Sequence, residues 1–191
     1  MSEPPLPSLE LRDPRALRAV AHPLRLQLIG LLRREGPLTA TQAGERLGHS
    51  AQSCWFHLRQ LARYGLVEEA GQRRGRERPW RATAQSTRLP SVATTPELAA
   101  ASELLLTVLA EGYFEALLRW VNGREQAPAE WQQAAPFGDS LVYVTAEELA
   151  GLKAEVRALV DRYAERTADR SLRPPGSRPV TWLHLAFPVE P

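Results

Sequence analysis

The sequence predicts a mainly helical fold with a small amount of β structure, and three observations support that class. Several segments have apolar residues at helical spacing, and each begins at a capping residue and ends at glycine or proline. Only four short stretches, residues 66–70, 79–83, 140–144 and 180–187, have the composition of strands. The 191 residues are 43% hydrophobic and 24% charged, which is typical of a folded globular protein.

The N-terminal end is expected to be a disordered tail followed by two helices. Residues 1–12 contain three prolines and few apolar anchors, a composition that predicts disorder. Asp13 caps the first helix, which has proline at its first position. Pro23 begins the second helix, and Gly36 ends it. A folded domain is therefore predicted over residues 13–90.

Two further short helices follow, with a tight turn between them. Thr39 is the expected cap of the first, which ends at Leu47. Gly48 allows the left-handed backbone of a turn, and Ser50 caps the next helix, over residues 51–64. Two short helices joined by a glycine-containing turn form the pattern of a helix-turn-helix.

A basic hairpin is predicted directly after these helices. Residues 66–70 and 79–83 are its strands, and two glycines between them give the chain the freedom to turn. A narrow hairpin bearing guanidinium groups can enter the minor groove of DNA or straddle its phosphates, although a charged loop can also contact nothing. We interpret the hairpin as the wing of a winged helix, with Arg73, Arg74, Arg76 and Arg78 at its tip.

The charge is unevenly distributed between the two halves. Residues 1–90 contain 15 arginines and 8 acidic residues, whereas residues 91–191 contain 9 basic and 14 acidic residues. The basic half therefore predicts a polyanionic partner, and the acidic half does not.

The helix over residues 51–64 has two chemically different sides. At 100° per residue, Cys54, Leu58 and Leu61 share the apolar side. Arginine can bond guanine, glutamine can bond adenine, and an aromatic ring can contact the thymine methyl group, while hydroxyl groups can bond phosphates or serve only as helix caps. The residues predicted to contact DNA are Thr39, Thr41, Ser50, Gln52, Ser53, Trp55, Phe56, Arg59, Arg63, Arg73, Arg74, Arg76 and Arg78.

Four segments occur in a recognisable order: AHPLRLQLIGLL, LTATQAGERLG, SAQSCWFHLRQLARYGLV and GRERPW. Together they resemble the ArsR-like winged helix-turn-helix transcriptional regulators over roughly a third of the chain. The resemblance implies a homodimer that binds operator DNA and often releases it on sensing a ligand. The remaining C-terminal residues are similar to the extension of a subgroup of bacterial regulators. This similarity does not identify a ligand.

Metal sensing and catalysis are not expected. Cys54 is the only cysteine, and the histidines His22, His49, His57 and His184 are scattered along the chain, so no ligand cluster at helical spacing exists. No nucleophile elbow, phosphate loop or supported pair of acids is present. We therefore predict no metal, no cofactor and no enzymatic activity.

A long helix is predicted within residues 91–123, beginning at Pro96 and ending at Gly123. Its apolar surface is wide for a single helix, so one side can face its own chain and the other a second copy. A core helix of a monomer is the alternative. The residues predicted for the dimer interface are Leu98, Leu105, Val108, Tyr113, Leu117 and Trp120.

Residues 124–191, the C-terminal region, are predicted to form a small α/β domain for dimerisation or effector binding. Strands 140–144 and 180–187 flank a helix that begins with a capping box at Thr145. Aromatic residues around a cavity would suit a small apolar or aromatic effector, and ordinary packing of a strand–helix–strand layer is the alternative. The pocket residues under that hypothesis are Trp131, Tyr143, Trp182 and His184.

The sequence as a whole favours a homodimeric, cytoplasmic, sequence-specific DNA-binding regulator. No signal pattern or transmembrane stretch is expected, since the longest apolar run is short and contains Glu103. The competing hypothesis is a winged-helix module that binds another protein through Trp55 and Phe56.

Overall fold

A computed structural model describes residues 7–71, 78–90, 92–135 and 137–189. The mainly helical class with small strands is confirmed. The helices are α1 (Pro14–Val20), α2 (Pro23–Glu35), α3 (Ala40–Leu47), α4 (Ala51–Arg63), α5 (Pro96–Gly123), α6 (Ala129–Ala134), α7 (Ala146–Asp161) and α8 (Glu165–Ala168), and the strands are β1 (Ser8–Glu10), β2 (Val67–Glu69), β3 (Trp80–Ala82) and β4 (Ser86–Arg88).

The helix starts are set by the capping residues that the sequence predicts. The Asp13 carboxylate accepts a hydrogen bond from the Arg15 amide at 2.8 Å, and the Ser50 hydroxyl accepts one from the Ser53 amide at 3.1 Å. Thr145 begins α7 with a complete capping box, in which its hydroxyl and the Glu148 side chain bond each other's backbone amides. These bonds satisfy amides that the helix itself leaves unpaired.

One hydrophobic core lies between α1, α2, α3 and α4. Leu17, Leu28, Leu58 and Leu61 are completely buried there. The first part of α5 returns to this core and packs against α1 and α2 through Leu98, Ala101 and Leu105. The core therefore extends beyond the predicted domain boundary at residue 90 and includes the start of the long helix.

The predicted disorder of residues 1–12 is wrong for residues 8–12. β1 pairs in parallel with β4, Ser8 opposite Ser86, and the Leu11 amide bonds the Arg88 carbonyl at 3.0 Å. The reason is that Leu11 is buried in the core and the partly buried Leu9 packs against it, so the segment gains both burial and strand pairing. Residues 1–6 lie outside the described part of the chain.

The predicted hairpin strands are confirmed. β2 and β3 pair antiparallel, Val67 opposite Ala82, and Leu38 joins them through two backbone bonds with Trp80 of 3.0 and 2.7 Å. Arg33 of α2 fixes the chain that follows, because its guanidinium donates to the Ala84 carbonyl at 2.9 Å and to the Thr87 hydroxyl at 2.7 Å. The hairpin base is therefore bonded directly to the helical core.

The long helix is confirmed, with Thr95 as its cap and 28 residues in its length. The Thr95 hydroxyl accepts from the Leu98 amide at 3.2 Å. Among the described residues, neither this helix nor any other is both long and apolar enough to span a membrane.

The two strands predicted in the C-terminal region are wrong for the single chain. Residues 140–144 and 180–187 are not in strands, so the described part of this region holds helices and irregular backbone rather than an α/β layer. A strand requires a neighbour for its backbone groups, and no backbone hydrogen bond joins either stretch to another described residue. Helix α7 forms as predicted, but its apolar face is not buried.

Candidate nucleic-acid interface

Helix α4 separates its side chains into a buried and an exposed face, as its periodicity predicts. Cys54, Leu58 and Leu61 are completely buried against the core. Trp55 is 49% exposed and Phe56 is 50% exposed on the opposite side. The remaining members of this face are Gln52, Arg59 and Arg63, which are exposed, while Ser53 is half-buried at its edge.

Two ring contacts organise the exposed face of α4. The Arg59 guanidinium lies over the Trp55 ring, 5.1 Å from its centroid, one helical turn away. The Phe56 ring meets His57 edge to face, with 5.3 Å between centroids. Each aromatic ring therefore packs against a nitrogen-containing side chain, and the exposed surface of α4 combines aromatic and polar groups.

The turn between α3 and α4 depends on two glycines. Gly48 has φ of +70°, a left-handed conformation that glycine adopts without strain. Gly44 lies against the following turn, since a Cβ added there would be 2.5 Å from the His49 carbonyl oxygen. The sequence indicated Gly48 but not Gly44, because a close approach of two backbones leaves no signal in hydrophobic periodicity. Together they fix the angle between α3 and α4.

The three hydroxyl residues predicted to contact phosphates differ in exposure. Thr39 is buried, and its hydroxyl accepts the Gln42 amide at 3.2 Å within a capping box. The burial of this side chain and its use as a cap argue against the predicted contact between Thr39 and DNA. Thr41 and Ser50 are exposed, and the Ser50 hydroxyl also caps α4.

The base of the hairpin is paired internally. Arg78 forms an ion pair with Glu69 at 2.6 Å, and Arg81 forms one with Glu68 at 2.8 Å. Arg78 is thus held along the hairpin base by a carboxylate, which the sequence did not indicate. The other predicted wing residues, Arg73, Arg74 and Arg76, lie outside the described residues.

A basic cluster that the sequence did not reveal joins the start of α2 to α4. The Arg25 Nε donates to His57 Nδ1 at 3.1 Å, and its guanidinium also bonds the Ala19 carbonyl. The His22 and His57 rings lie 4.5 Å apart, and His22 caps α2 by accepting the Leu24 amide. Burial, together with the neighbouring positive groups, lowers the pKa of both histidines. This arrangement therefore favours the neutral form of both imidazole rings.

Residues 20–70, which span α2, α3, α4 and β2, match the family model of a helix-turn-helix domain. This stretch, called the helix-turn-helix domain below, is similar to the domains of that family. The match ends before β3 and includes neither α5 nor the C-terminal region, so the ArsR-like assignment stays a prediction. No curated protein matches the sequence.

The thiol within the helix-turn-helix domain is structural. Cys54 is completely buried on the inner face of α4, and burial raises its pKa, which favours the protonated thiol. Among residues 7–71, 78–90, 92–135 and 137–189, no three His, Cys, Asp or Glu side chains lie close enough to hold a metal ion.

The face of α5 predicted as a dimer interface is corrected at two positions. Leu98 and Leu105 are buried in the core of their own chain, so they cannot meet a second copy. Sequence spacing shows that a helix has two apolar lines but not which one the domain itself covers. Val108, Leu117 and Trp120 are half-buried, whereas Tyr113 is exposed. The exposed line also contains Leu106, Phe114 and Val121, which the sequence interpretation left out.

The residues of the predicted effector pocket are spread over the C-terminal region. Tyr143 is 96% exposed, and Trp182 is also exposed. Trp131 is half-buried beneath the Arg178 guanidinium, at 5.4 Å from its ring centroid. His184 lines a depression with Ala150, Lys153, Ala154 and Arg157, and none of the three aromatic residues lines it.

Proposed function

We propose that this protein is a homodimeric, sequence-specific DNA-binding transcriptional regulator of the ArsR-like kind that acts in the cytoplasm. Helix α4 enters the major groove, and the hairpin contacts the minor groove or the phosphates. The proposal includes no catalytic activity and no metal effector.

The observation that supports this function is the exposed face of α4. In a helix-turn-helix domain the second short helix is the one that enters the major groove. Here that helix exposes Gln52, Phe56 and Arg59 and carries no acidic residue. Each exposed group has a chemistry suited to a base edge or to a thymine methyl group.

The proposed roles follow the order of residues along α4. Gln52, Ser53 and Phe56 lie in its first half and meet base edges, because the N-terminal part of a recognition helix is nearest the bases. Arg59 also reaches a base, with its approach constrained by Trp55. Arg63, in the last turn, meets phosphate.

The proposed dimer forms along a line of α5 that is exposed in its first part and half-buried at Leu117 and Trp120. Leu106, Tyr113, Leu117 and Trp120, together with Ala110, recur at alternating steps of four and three residues, the spacing of a seam between two helices. A two-fold pair would present two copies of α4 to a symmetric site. A small apolar or aromatic effector near Trp131 remains part of the proposal, since aromatic side chains are available in that region.

A salt titration of DNA binding tests the DNA-binding proposal. Duplexes selected by the wild-type protein from genomic fragments are titrated with wild type, Arg76→Ala and the control Arg119→Ala, which changes an exposed arginine of α5. Arg76→Ala is expected to weaken binding to all sequences and to lower the salt slope by about one, as loss of one phosphate contact does. An unchanged slope and affinity would remove the hairpin tip from the interface.

A protein-binding module is the second candidate, favoured by the half-exposed rings of Trp55 and Phe56. Aromatic residues are common anchors at protein interfaces. A Trp55→Ala, Phe56→Ala double variant that binds selected DNA as the wild type does would favour this candidate. Loss of DNA binding with the fold intact would favour the first.

A further inference from the structure

The C-terminal region has no core of its own. Beyond Leu105, no described residue is buried. The side chains left open to solvent in this region are large and apolar, and they include Leu141, Leu159 and Leu185. Water contact with so much apolar surface is unfavourable, so a single chain cannot hold this region in a stable arrangement.

The total accessible surface of the chain shows how much surface is left uncovered. The chain exposes 14335 Å², whereas a compact protein of 21.3 kDa exposes roughly 9,000 Å². The excess is about 5,000 Å² per chain, well above the ~1,000–2,500 Å² that each partner contributes to an obligate dimer. The exposed surface is therefore large enough to supply an obligate dimer interface.

Two stretches of the region with strand-like sequence have no strand partner among the described residues. The composition of residues 140–144 and 180–187 is that of strands, with Tyr143 and Trp182 among their aromatic residues. Their backbone groups bond no other described residue. A strand-forming sequence that has no partner strand in its own chain is available to pair with another chain.

The charge of the region favours a second copy over a polyanion. Residues 124–191 contain eight basic and ten acidic side chains, so their net charge is small. Two copies can therefore approach without strong repulsion, whereas DNA has no positive field to meet. The exposed line of α5 leads directly into the same region.

We propose that the C-terminal regions of two chains fold together into one shared domain. Residues 140–144 and 180–187 become strands of a sheet formed by both copies, and the apolar face of α7 covers it. This inference builds on the homodimer proposed above and assigns a second, larger interface to it.

The shared domain would also set the spacing of the two helix-turn-helix domains. Arg170, after α8, donates to the Glu35 carbonyl at 3.0 Å at the end of α2. Glu35 in turn accepts from Arg46 of α3 at 2.6 Å. Each C-terminal region thus contacts its own helix-turn-helix domain at the end of α2.

Hydrogen exchange and sedimentation on the full chain test the shared domain. Amides of residues 140–144 and 180–187 are expected to become protected as the protein concentration rises, in parallel with dimer formation. Leu185→Arg should raise the dimer dissociation constant by at least about 30-fold, the effect of one lost interface anchor. Val92→Arg, at an equally exposed residue outside the region, is the matched control.

Three results would overturn the inference. Amides that stay unprotected at every protein concentration would show that no sheet forms. Protection that does not change with protein concentration would show that the sheet forms within a single chain. A dimer that survives Leu185→Arg but is lost in Leu117→Arg would assign dimerisation to α5 alone. Dimerisation through the region without DNA binding would instead contradict the proposed function and leave this inference standing.

Discussion

The helix-turn-helix domain and the C-terminal region have similar helical patterning but opposite burial. In the first, Leu58 and Leu61 of α4 are completely covered by neighbouring helices. In the second, Leu152 and Leu159 of α7 lie at the same kind of spacing and are exposed. The contrast teaches that periodicity identifies the apolar face of a helix but not the chain that covers it.

The largest expected effect comes from truncating matched leucines in the two regions. Leu58→Ala should lower the free energy of unfolding by about 2–5 kcal/mol, because it leaves a cavity in a closed core. Leu159→Ala should change it by less than ~0.5 kcal/mol in dilute protein, where its side chain already contacts water. Denaturant unfolding at low and high protein concentration measures both values. Equal losses in dilute protein would contradict the difference between the regions.

The next largest effect is expected at the turn between α3 and α4. Gly44→Ala should destabilise the domain by about 1–3 kcal/mol, since a methyl group at 2.5 Å from the His49 carbonyl forces the turn apart. Gly112→Ala is the control, because open space surrounds that helical glycine and alanine should stabilise α5 by roughly 0.5–1 kcal/mol. Thermal unfolding of both variants checks the signs, and a neutral Gly44→Ala would show that the turn can shift freely.

Arg59 and Arg63 are expected to differ although both are exposed on α4. Arg59→Ala should cost about 1–3 kcal/mol at the preferred base and relax selection at that position. Arg63→Ala should weaken binding to all DNA sequences by the same factor, as loss of a phosphate contact does. Binding to a panel of single-base variants separates the two patterns. A uniform loss for Arg59→Ala would make it a phosphate contact instead.

A smaller effect is expected from pH at the junction of α2 and α4. The pKa values of His22 and His57 are lowered below their ordinary value, chiefly by burial and then by neighbouring positive groups. Neutral imidazoles stabilise the fold, so this contribution is complete above about pH 6.5 and is lost as the pH falls through the lowered values. Protonated His57 also cannot accept the Arg25 hydrogen bond.

His57→Gln should therefore flatten the decline in unfolding free energy between pH 6.5 and pH 5, since the amide keeps an acceptor for Arg25 but does not titrate. His184→Gln, on the exposed C-terminal region, is the control. Denaturant unfolding at several pH values measures the slopes. An identical slope for wild type and His57→Gln would exclude His57 as an origin of the pH dependence.

Local chemistry made most of the fold predictable. Asp13, Thr39, Ser50 and Thr145 cap helices because their side-chain oxygens reach unpaired amides within three residues, and that relation is written in adjacent sequence. The buried and exposed faces of α4 follow from the helical repeat alone. The family match over residues 20–70 supports the same assignment.

Long-range contacts explain what the sequence did not predict. Leu11 is buried because β4, more than seventy residues away, offers an edge for β1. Arg78 is paired because the antiparallel hairpin returns it to Glu69, and Arg25 meets His57 only after α2 and α4 pack. The strands expected near Tyr143 and Trp182 required partners, and a pattern within one chain does not reveal whether those partners lie in a second chain.

The central claim is that the exposed face of α4 recognises a DNA sequence as part of a two-fold pair. Selection of bound DNA from random duplexes by the 191-residue chain tests this claim most directly. We predict a two-fold-symmetric motif whose half-sites lie about one or two helical turns apart, with binding that weakens steeply as salt rises. Recovery of fragments that share no motif and bind weakly, without sequence preference, would contradict this claim.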